Sequence, residues 1–410
     1  MKIALLIAYL LVLAAGHALR TLNLNHLKRH GAEVPEGFEG AIDPCQLRRT
    51  SAYTLECSRL GQFEPLLDSA LLLLFLFGGL LPVYDRWIAG ATGSFVLQGV
   101  LFFFGLQLAK GVCDIPFSLY RNFCIEARYG FNTMSLRLWL SDLGKGLALG
   151  MVLGGALLGG AFWLVSASPE GWWLWVWGFF ALFTLLLMYV SPYLIEPLFF
   201  KFEPVREQGL EERIRSLMER AGLRVSRVFQ VDASRRSRHS NAYFTGIGRV
   251  KRIVLFDTLL EQMSQDEVLA VLAHEVGHWK KRHILKRLLV TELLALGGLY
   301  LAWRLVEWGG LPGLLGLEQA SFAAQLVILS FLGSIAGFPF TPLSSWLSRR
   351  DEWQADRFAR ELTGEPEALA SGLVKLSREN LANLHPHPLY AAVFYSHPPV
   401  VERVRRLRQP

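Results

Sequence analysis

Long apolar runs alternate with short polar segments along this chain, and the runs fall at about residues 3–19, 65–83, 95–112, 147–167, 172–190, 284–306 and 322–340. Each is long enough to cross a bilayer as a helix, so the pattern predicts seven spans. The fourth run is rich in glycine, which suits close helix packing. The fifth opens with Trp172, Trp173, Trp175 and Trp177, residues suited to the membrane interface. Residues 3–19 also resemble a signal peptide, with Gly16-His17-Ala18 as a weak cleavage site. A retained first helix is preferred, because the later segments need it for a consistent topology. Residues 20–63 read as a polar, basic loop and 120–145 as a second polar stretch. From 201 to about 281 the pattern turns soluble. There, 206–221 predicts an amphipathic helix closed by Gly222, and 225–231 and 252–256 predict short strands. After the seventh run comes a polar, arginine-rich tail.

Composition agrees. A chain of 410 residues with 52% hydrophobic content, 19% charged residues and a mean hydropathy of +0.31 is not an ordinary soluble enzyme. The net charge of +7 is unevenly placed. Basic residues crowd the segments after runs one, three, five and seven, and are nearly absent after runs two, four and six. That alternation puts the amino terminus outside, and residues 201–283 and the tail in the cytoplasm. The excess is therefore read as loop anchoring, and no nucleic-acid partner is expected. Cys45, Cys57, Cys113 and Cys124 show no Cys-x-x-Cys spacing, which argues against a cysteine metal site or a disulfide framework.

His274-Glu275-Val276-Gly277-His278 carries the chemistry. Ser264, Asp266 and Glu267 predict a capped helix start, and Val268, Leu269, Val271, Leu272 and Val276 give it an apolar face. Residues four apart on a helix share a face, so His274 and His278 can aim two imidazoles at one zinc ion. Glu275 lies one step round, placed to act as general base on a water that the metal activates. Lys280, Lys281, Arg282 and His283 follow at once, so this helix sits at or outside the membrane surface. A third ligand is required. Glu352 is the best candidate, with Asp351 and Asp356 as competitors; Glu352 and Asp356 are again four apart, so one can bind metal while the other holds a ligand imidazole. His397, fixed before Pro398 and Pro399, can donate to a developing oxyanion, although such a loop histidine is more often a plain surface residue. His385 and His387 are neighbouring competitors. Asn241 is a candidate for binding substrate backbone.

Four segments together are specific: Arg236 to Gly246, Lys251 to Leu260, His274 to Trp279, and Tyr395-Ser396-His397-Pro398-Pro399. With Tyr53-Thr54, Gly130-Phe131-Asn132, Pro192-Tyr193 and Glu196-Pro197-Leu198-Phe199, they resemble the type I CAAX prenyl protease family, membrane zinc endopeptidases of the gluzincin class. The likeness covers nearly the whole chain in order. It implies a mainly α, seven-helix barrel enclosing a water-filled intramembrane chamber, with one zinc ion at its cytoplasmic end. It implies Glu352 as third ligand with Asp356 supporting it. Asn241, His397 and Arg403 would align substrate and stabilise the transition state. The implied substrate is a protein ending in Cys-a-a-X whose cysteine carries a farnesyl or geranylgeranyl group, and the last three residues are removed. On this reading, residues 1–200 hold spans one to five and 201–283 the metalloprotease domain. Residues 284–342 then hold spans six and seven, and 343–410 a cytoplasmic tail with the third ligand.

The arginine-heavy composition and an ending of Arg408-Gln409-Pro410, unlike a retrieval signal, favour a bacterial inner membrane, with the endoplasmic reticulum expected for a eukaryotic source. Two other readings stand beside this one. The same chemistry suits a quality-control protease for non-prenylated membrane proteins, and glycine-rich spans suit a transporter or lipid-handling protein with a vestigial metal site.

Overall fold

Among the described residues, seven helices are long and apolar enough to cross a membrane: Lys2–His30, Pro44–Phe77, Phe95–Glu126, Leu136–Ala167, Trp172–Phe199, His283–Glu307 and Phe322–Thr363. Little of their apolar length, at most 17%, is buried inside the protein, which leaves the apolar faces for lipid. The computed structural model describes residues 1–245 and 250–409; Gly246, at the end of the Arg236 segment, lies outside the described residues.

Spans that follow one another in sequence touch, and the seventh returns against the first and the third, so the helices close a ring. At one end of the ring, Leu76, Leu81, Phe102, Phe162, Ile328 and Phe331 form a membrane core. A second, larger core lies beyond the other end, beneath a four-stranded sheet.

The helix ends depart from the hydropathy reading in an instructive way. Residues 20–63 are mostly helix rather than loop, because the first helix runs to His30 and the second begins at Pro44. Asp43 caps that second start, its carboxylate accepting from the amides of Cys45 (2.7 Å) and Gln46 (2.8 Å), with proline at the first helical position. The residues between fold onto the soluble core, where Phe38 and Ile42 are buried. The second apolar run also does not form one helix. Gly78 and Gly79 break it, Gly79 taking a positive φ of 84°, and a separate helix, Leu80–Ala91, follows.

The soluble layer is built on strands β1 (Phe202–Pro204), β2 (Arg224–Val231), β3 (Ala242–Thr245) and β4 (Val250–Phe256), in the order β1-β2-β4-β3. The two expected strands are β2 and β4, paired in parallel, while β1 and β3 flank them antiparallel. The helix Leu210–Arg220 matches the predicted amphipathic segment and buries Leu210, Ile214, Leu217 and Met218. The arginine-rich tail is not an open chain. It folds into Thr341–Thr363, Pro366–Glu379, Pro388–Phe394 and Val400–Arg408; the first two pack on the helix bearing the histidine pair, and the last two pack on them.

Several of the recurring segments serve as braces between membrane and soluble layers. The His239 ring stacks on Phe131 at 4.1 Å, and its nitrogens lie 2.9 Å from Asn380 Oδ1 and 3.2 Å from Glu126 Oε2. Tyr53 donates to Glu126 from the second span at 2.7 Å. Arg236 grips Asp142 with two hydrogen bonds, of 2.8 and 3.0 Å.

Candidate metal centre

Ser264 begins the central helix, Gln265–Lys280, with a complete capping box: its hydroxyl accepts from the Glu267 amide, and the Glu267 carboxylate accepts from the Ser264 amide at 2.8 Å. Glu267 also accepts from Ser371 (2.6 Å) and Lys375 (2.7 Å), tying this helix to Pro366–Glu379. Burial alone would raise the Glu267 carboxyl, but Lys375, Ser371 and Ser264 hold it below the usual carboxylate range. A group depressed on folding stabilises the fold above its unfolded value, about 4.3. That contribution is lost as pH falls through the lower folded value. Glu267→Gln is therefore expected to lower the thermal midpoint of the solubilised protein at pH 7, with the gap to wild type closing in acid. A gap independent of pH would rule out the charge as its origin.

Two turns into the helix, His274 and His278 point the same way, their Nε2 atoms 3.2 Å apart. Glu352, on Thr341–Thr363, closes the triangle. Its Oε2 lies 3.3 Å from His274 Nε2 and its Oε1 3.3 Å from His278 Nε2. The three side chains each offer a donor atom within 4.8 Å of the others. The two helices approach closely because Gly277 has no side chain: a Cβ there would stand 2.8 Å from the Ala355 Cα. The glycine between the histidines thus sets the distance at which Glu352 arrives.

The donor set fits a divalent metal ion on its own evidence. Glu352 Oε2 is buried and has no hydrogen-bond partner among the described residues, despite His274 Nε2 nearby. Two imidazole nitrogens facing one another at 3.2 Å cannot both keep protons without repulsion. Each ring is instead turned by its other nitrogen. His274 Nδ1 lies 2.8 Å from Asp356 Oδ1, so its proton belongs there and Nε2 keeps a free lone pair. His278 Nδ1 lies 3.1 Å from His283 Nδ1, and His283 Nε2 is 3.3 Å from Gln354 Oε1. One consistent proton arrangement runs from His278 through His283 to Gln354, again leaving Nε2 of His278 free.

Asp356 is held in turn by Arg403, whose Nε and Nη2 donate to it at 2.9 and 2.6 Å. Arg403 is buried, with Nη2 3.3 Å from His274 Nδ1 and Nη1 3.8 Å from Glu352 Oε2. Glu275 lies beside these groups; burial pushes its carboxyl above the usual carboxylate range, against the pull of His274 and His278. His397 stands exposed at the rim, Nε2 3.4 Å from Glu352 Oε1 and Nδ1 3.0 Å from the Ser396 hydroxyl. Asn241 does not join the cluster. It precedes β3, where its own side chain accepts from the Ala242 amide at 2.8 Å. The competitors do not join the triangle: Asp351 pairs with Arg287 at 3.0 Å and lies 3.6 Å from His283 Nε2, His385 pairs with the Glu33 carbonyl at 2.7 Å, and His387 caps the helix Pro388–Phe394.

Sequence reasoning missed His283. Its signal was present, a histidine five residues after the second of the pair, but it reads as part of a basic run.

A cavity of about 780 Å³ opens beside His278, between the fifth and sixth spans. Its lining includes Leu185, Met188, Phe244, Trp279, Leu285 and Leu288. The strand β3 borders it and, as the last strand in the sheet order, has no described partner beyond β4.

Membrane spans in a ring, a soluble layer packed against one end, and a two-histidine, one-glutamate centre with an adjacent carboxylate define an integral-membrane metallopeptidase. Residues 23–201 match the CAAX prenyl protease N-terminal family of five membrane helices, and residues 204–410 match peptidase family M48. The chain belongs to peptidase family M48. It is 35% identical to the CAAX prenyl protease 1 homolog of Arabidopsis thaliana, over 91% of this chain and 90% of that one. It is 33% identical to CAAX prenyl protease 1 of Saccharomyces cerevisiae, over 81% and 76%. The crystal structure of S. mikatae Ste24p superposes with a TM-score of 0.88 at 28% identity, covering 98% of this chain and 99% of the other. The metallopeptidase reading of the sequence holds, and a transporter with a vestigial site does not fit these relatives.

Proposed function

We propose that this protein is a zinc-dependent endopeptidase that removes the last three residues of prenylated Cys-a-a-X proteins. One observation carries the reading: the His274–His278–Glu352 centre stands against an apolar cavity that opens toward lipid-exposed leucines of the fifth and sixth spans. A prenyl chain fits such a cavity while the attached peptide reaches the metal. The names of the relatives support the same substrate class.

Zinc, when bound by His274, His278 and Glu352, would activate a water and polarise the scissile carbonyl. Glu275 accepts the proton that the attacking water loses. Asp356 keeps His274 in the tautomer that frees Nε2, and Arg403 holds Asp356 in place. His397, at the rim, donates its N–H to the oxyanion. Substrate backbone lies along the edge of β3 that has no partner among the described residues, as an added strand, with Asn241 at its start. The basic segments at this end of the ring support a cytoplasmic site.

The test compares a farnesylated Cys-a-a-X peptide with its unprenylated twin, using purified protein with and without a zinc chelator. Zinc-dependent preference for the prenylated peptide is expected. Equal cleavage of both would replace this reading with a general membrane-protein protease, and cleavage that survives chelation would remove the zinc.

His283 supplies a separate check. If it orients His278, His283→Ala should weaken zinc binding by roughly 10–100-fold, measured by chelator competition. Unchanged zinc affinity would reduce the His278–His283 contact to packing.

A further inference from the structure

A second cavity, of about 790 Å³, lies where the fourth and fifth spans leave the membrane on the protease side. Five cations line it, Lys145, Lys201, Arg235, Arg236 and Arg252, and no carboxylate does. Its remaining wall includes Pro192, Tyr193, Pro197 and Phe199, from segments that the metal centre leaves unused.

The positive charge is only partly answered. Asp142 pairs with Arg236 and, at 3.7 Å, with Lys145. Asp232 lies 3.3 Å from Arg235, and Glu203 pairs with Lys201 at 2.8 Å but is shared with Arg206. Arg252 has no carboxylate within ion-pair distance among the described residues. It donates to the Pro192 carbonyl at 3.1 Å and lies between the rings of Phe229 (4.6 Å) and Tyr193 (4.8 Å). Arg236 keeps a further donor in reserve: its Nη1 is buried with no hydrogen-bond partner among the described residues, though its other two nitrogens donate to Asp142. An unanswered guanidinium donor in a basic hollow is suited to a phosphate oxygen, which guanidinium groups bind with paired N–H donors.

The surroundings identify the source of the phosphate. Lys145 is two residues before the apolar run 147–167, and Pro192 two residues after 172–190, so the hollow lies at headgroup level. Leu140, Leu147, Tyr189, Leu194 and Leu198 are exposed around it, and Leu194 is 66% accessible. A soluble phosphate compound would gain nothing from these leucines, whereas acyl chains would cover them. Basic pockets at the cytoplasmic ends of membrane helices are the expected receptors for anionic headgroups.

We propose that the Lys145–Arg236–Arg252 hollow binds the phosphate of an anionic phospholipid, whose acyl chains lie along the exposed leucines at the ends of the fourth and fifth spans. The lipid would join the fourth span, the segment after the fifth span and the protease sheet, because Arg236 and Arg252 belong to the soluble layer.

Native mass spectrometry of the full, detergent-purified chain tests this with phosphatidylglycerol and phosphatidylcholine of identical acyl chains. Wild type is expected to retain phosphatidylglycerol in preference. Lys201→Gln with Arg235→Gln, two exposed side chains whose loss threatens no fold, should weaken phosphatidylglycerol by about fivefold per charge and leave phosphatidylcholine unchanged. Arg252→Gln should weaken it as well, with the thermal midpoint reporting whether the fold survives. Equal retention of both lipids by wild type would overturn the site, as would undiminished preference in both variants. A third arm adds inorganic phosphate without lipid. Protection against heat by phosphate alone, lost in the same variants, would overturn the lipid as its source.

Discussion

Glu275→Gln is expected to keep its zinc and to lose peptide cleavage by roughly 10²–10⁴-fold. The amide has the shape of the carboxyl and leaves His274, His278 and Glu352 untouched, but it cannot take a proton. The desolvation that raises the Glu275 carboxyl also makes its carboxylate a stronger base than an ordinary one, which suits it to take that proton. Metal content by elemental analysis and turnover of a farnesylated peptide, measured on one preparation, separate the outcomes. Full turnover with full zinc would remove Glu275 as the base. Loss of zinc together with turnover would make it a structural residue of the centre.

Arg403→Met has the second largest expected effect, and it distinguishes two roles. In the first, Arg403 acts through Asp356: removing it leaves a buried carboxylate with one partner, His274, where it had two. Breaking a buried pair in this way costs about 3–5 kcal/mol, so the thermal midpoint and the zinc affinity should both fall. Arg403→Lys should recover only part, because an ammonium cannot present two parallel donors to both oxygens. In the second role, implied by the family resemblance, Arg403 contacts substrate directly. A fall in turnover with stability and zinc affinity intact would select that role. The geometry favours the first, since this buried side chain meets Asp356, His274 and Glu352.

The spans were legible because lipid imposes one requirement, a sufficiently long apolar helix, on every segment that crosses it. Their ends were not. Hydropathy stops at the membrane surface, whereas Asp43 and Pro44 start the second helix well before its apolar part and Gly78-Gly79 stops it inside the apolar run. The histidine pair was legible because helical spacing and a capping box both act within a few residues. The choice of Glu352 over Asp351 was not decidable from spacing. It depends on how Thr341–Thr363 is rotated against the central helix, and in the fold that rotation brings Glu352 within 3.3 Å of both histidines while Gly277 meets Ala355. Strands β1 and β3 were missed because three or four residues carry too little alternation to stand out. The burial of Arg403 was equally invisible, because an arginine in a basic tail reads as solvated.

The helix that delivers Glu352 is not a separate element placed on the membrane. Phe322–Gly337 passes through one tight turn, Phe338–Phe340, into Thr341–Thr363, and the central helix is separated from the sixth span only by Lys281 and Arg282. The candidate metal donors are thus mounted on the ends of two levers whose other arms are apolar enough to lie in lipid. A bilayer that is thinner or thicker than these spans changes their tilt. A change of tilt is therefore expected to reach the candidate centre as a change in the spacing of its donors, which would make the thickness of the membrane a variable of metal affinity.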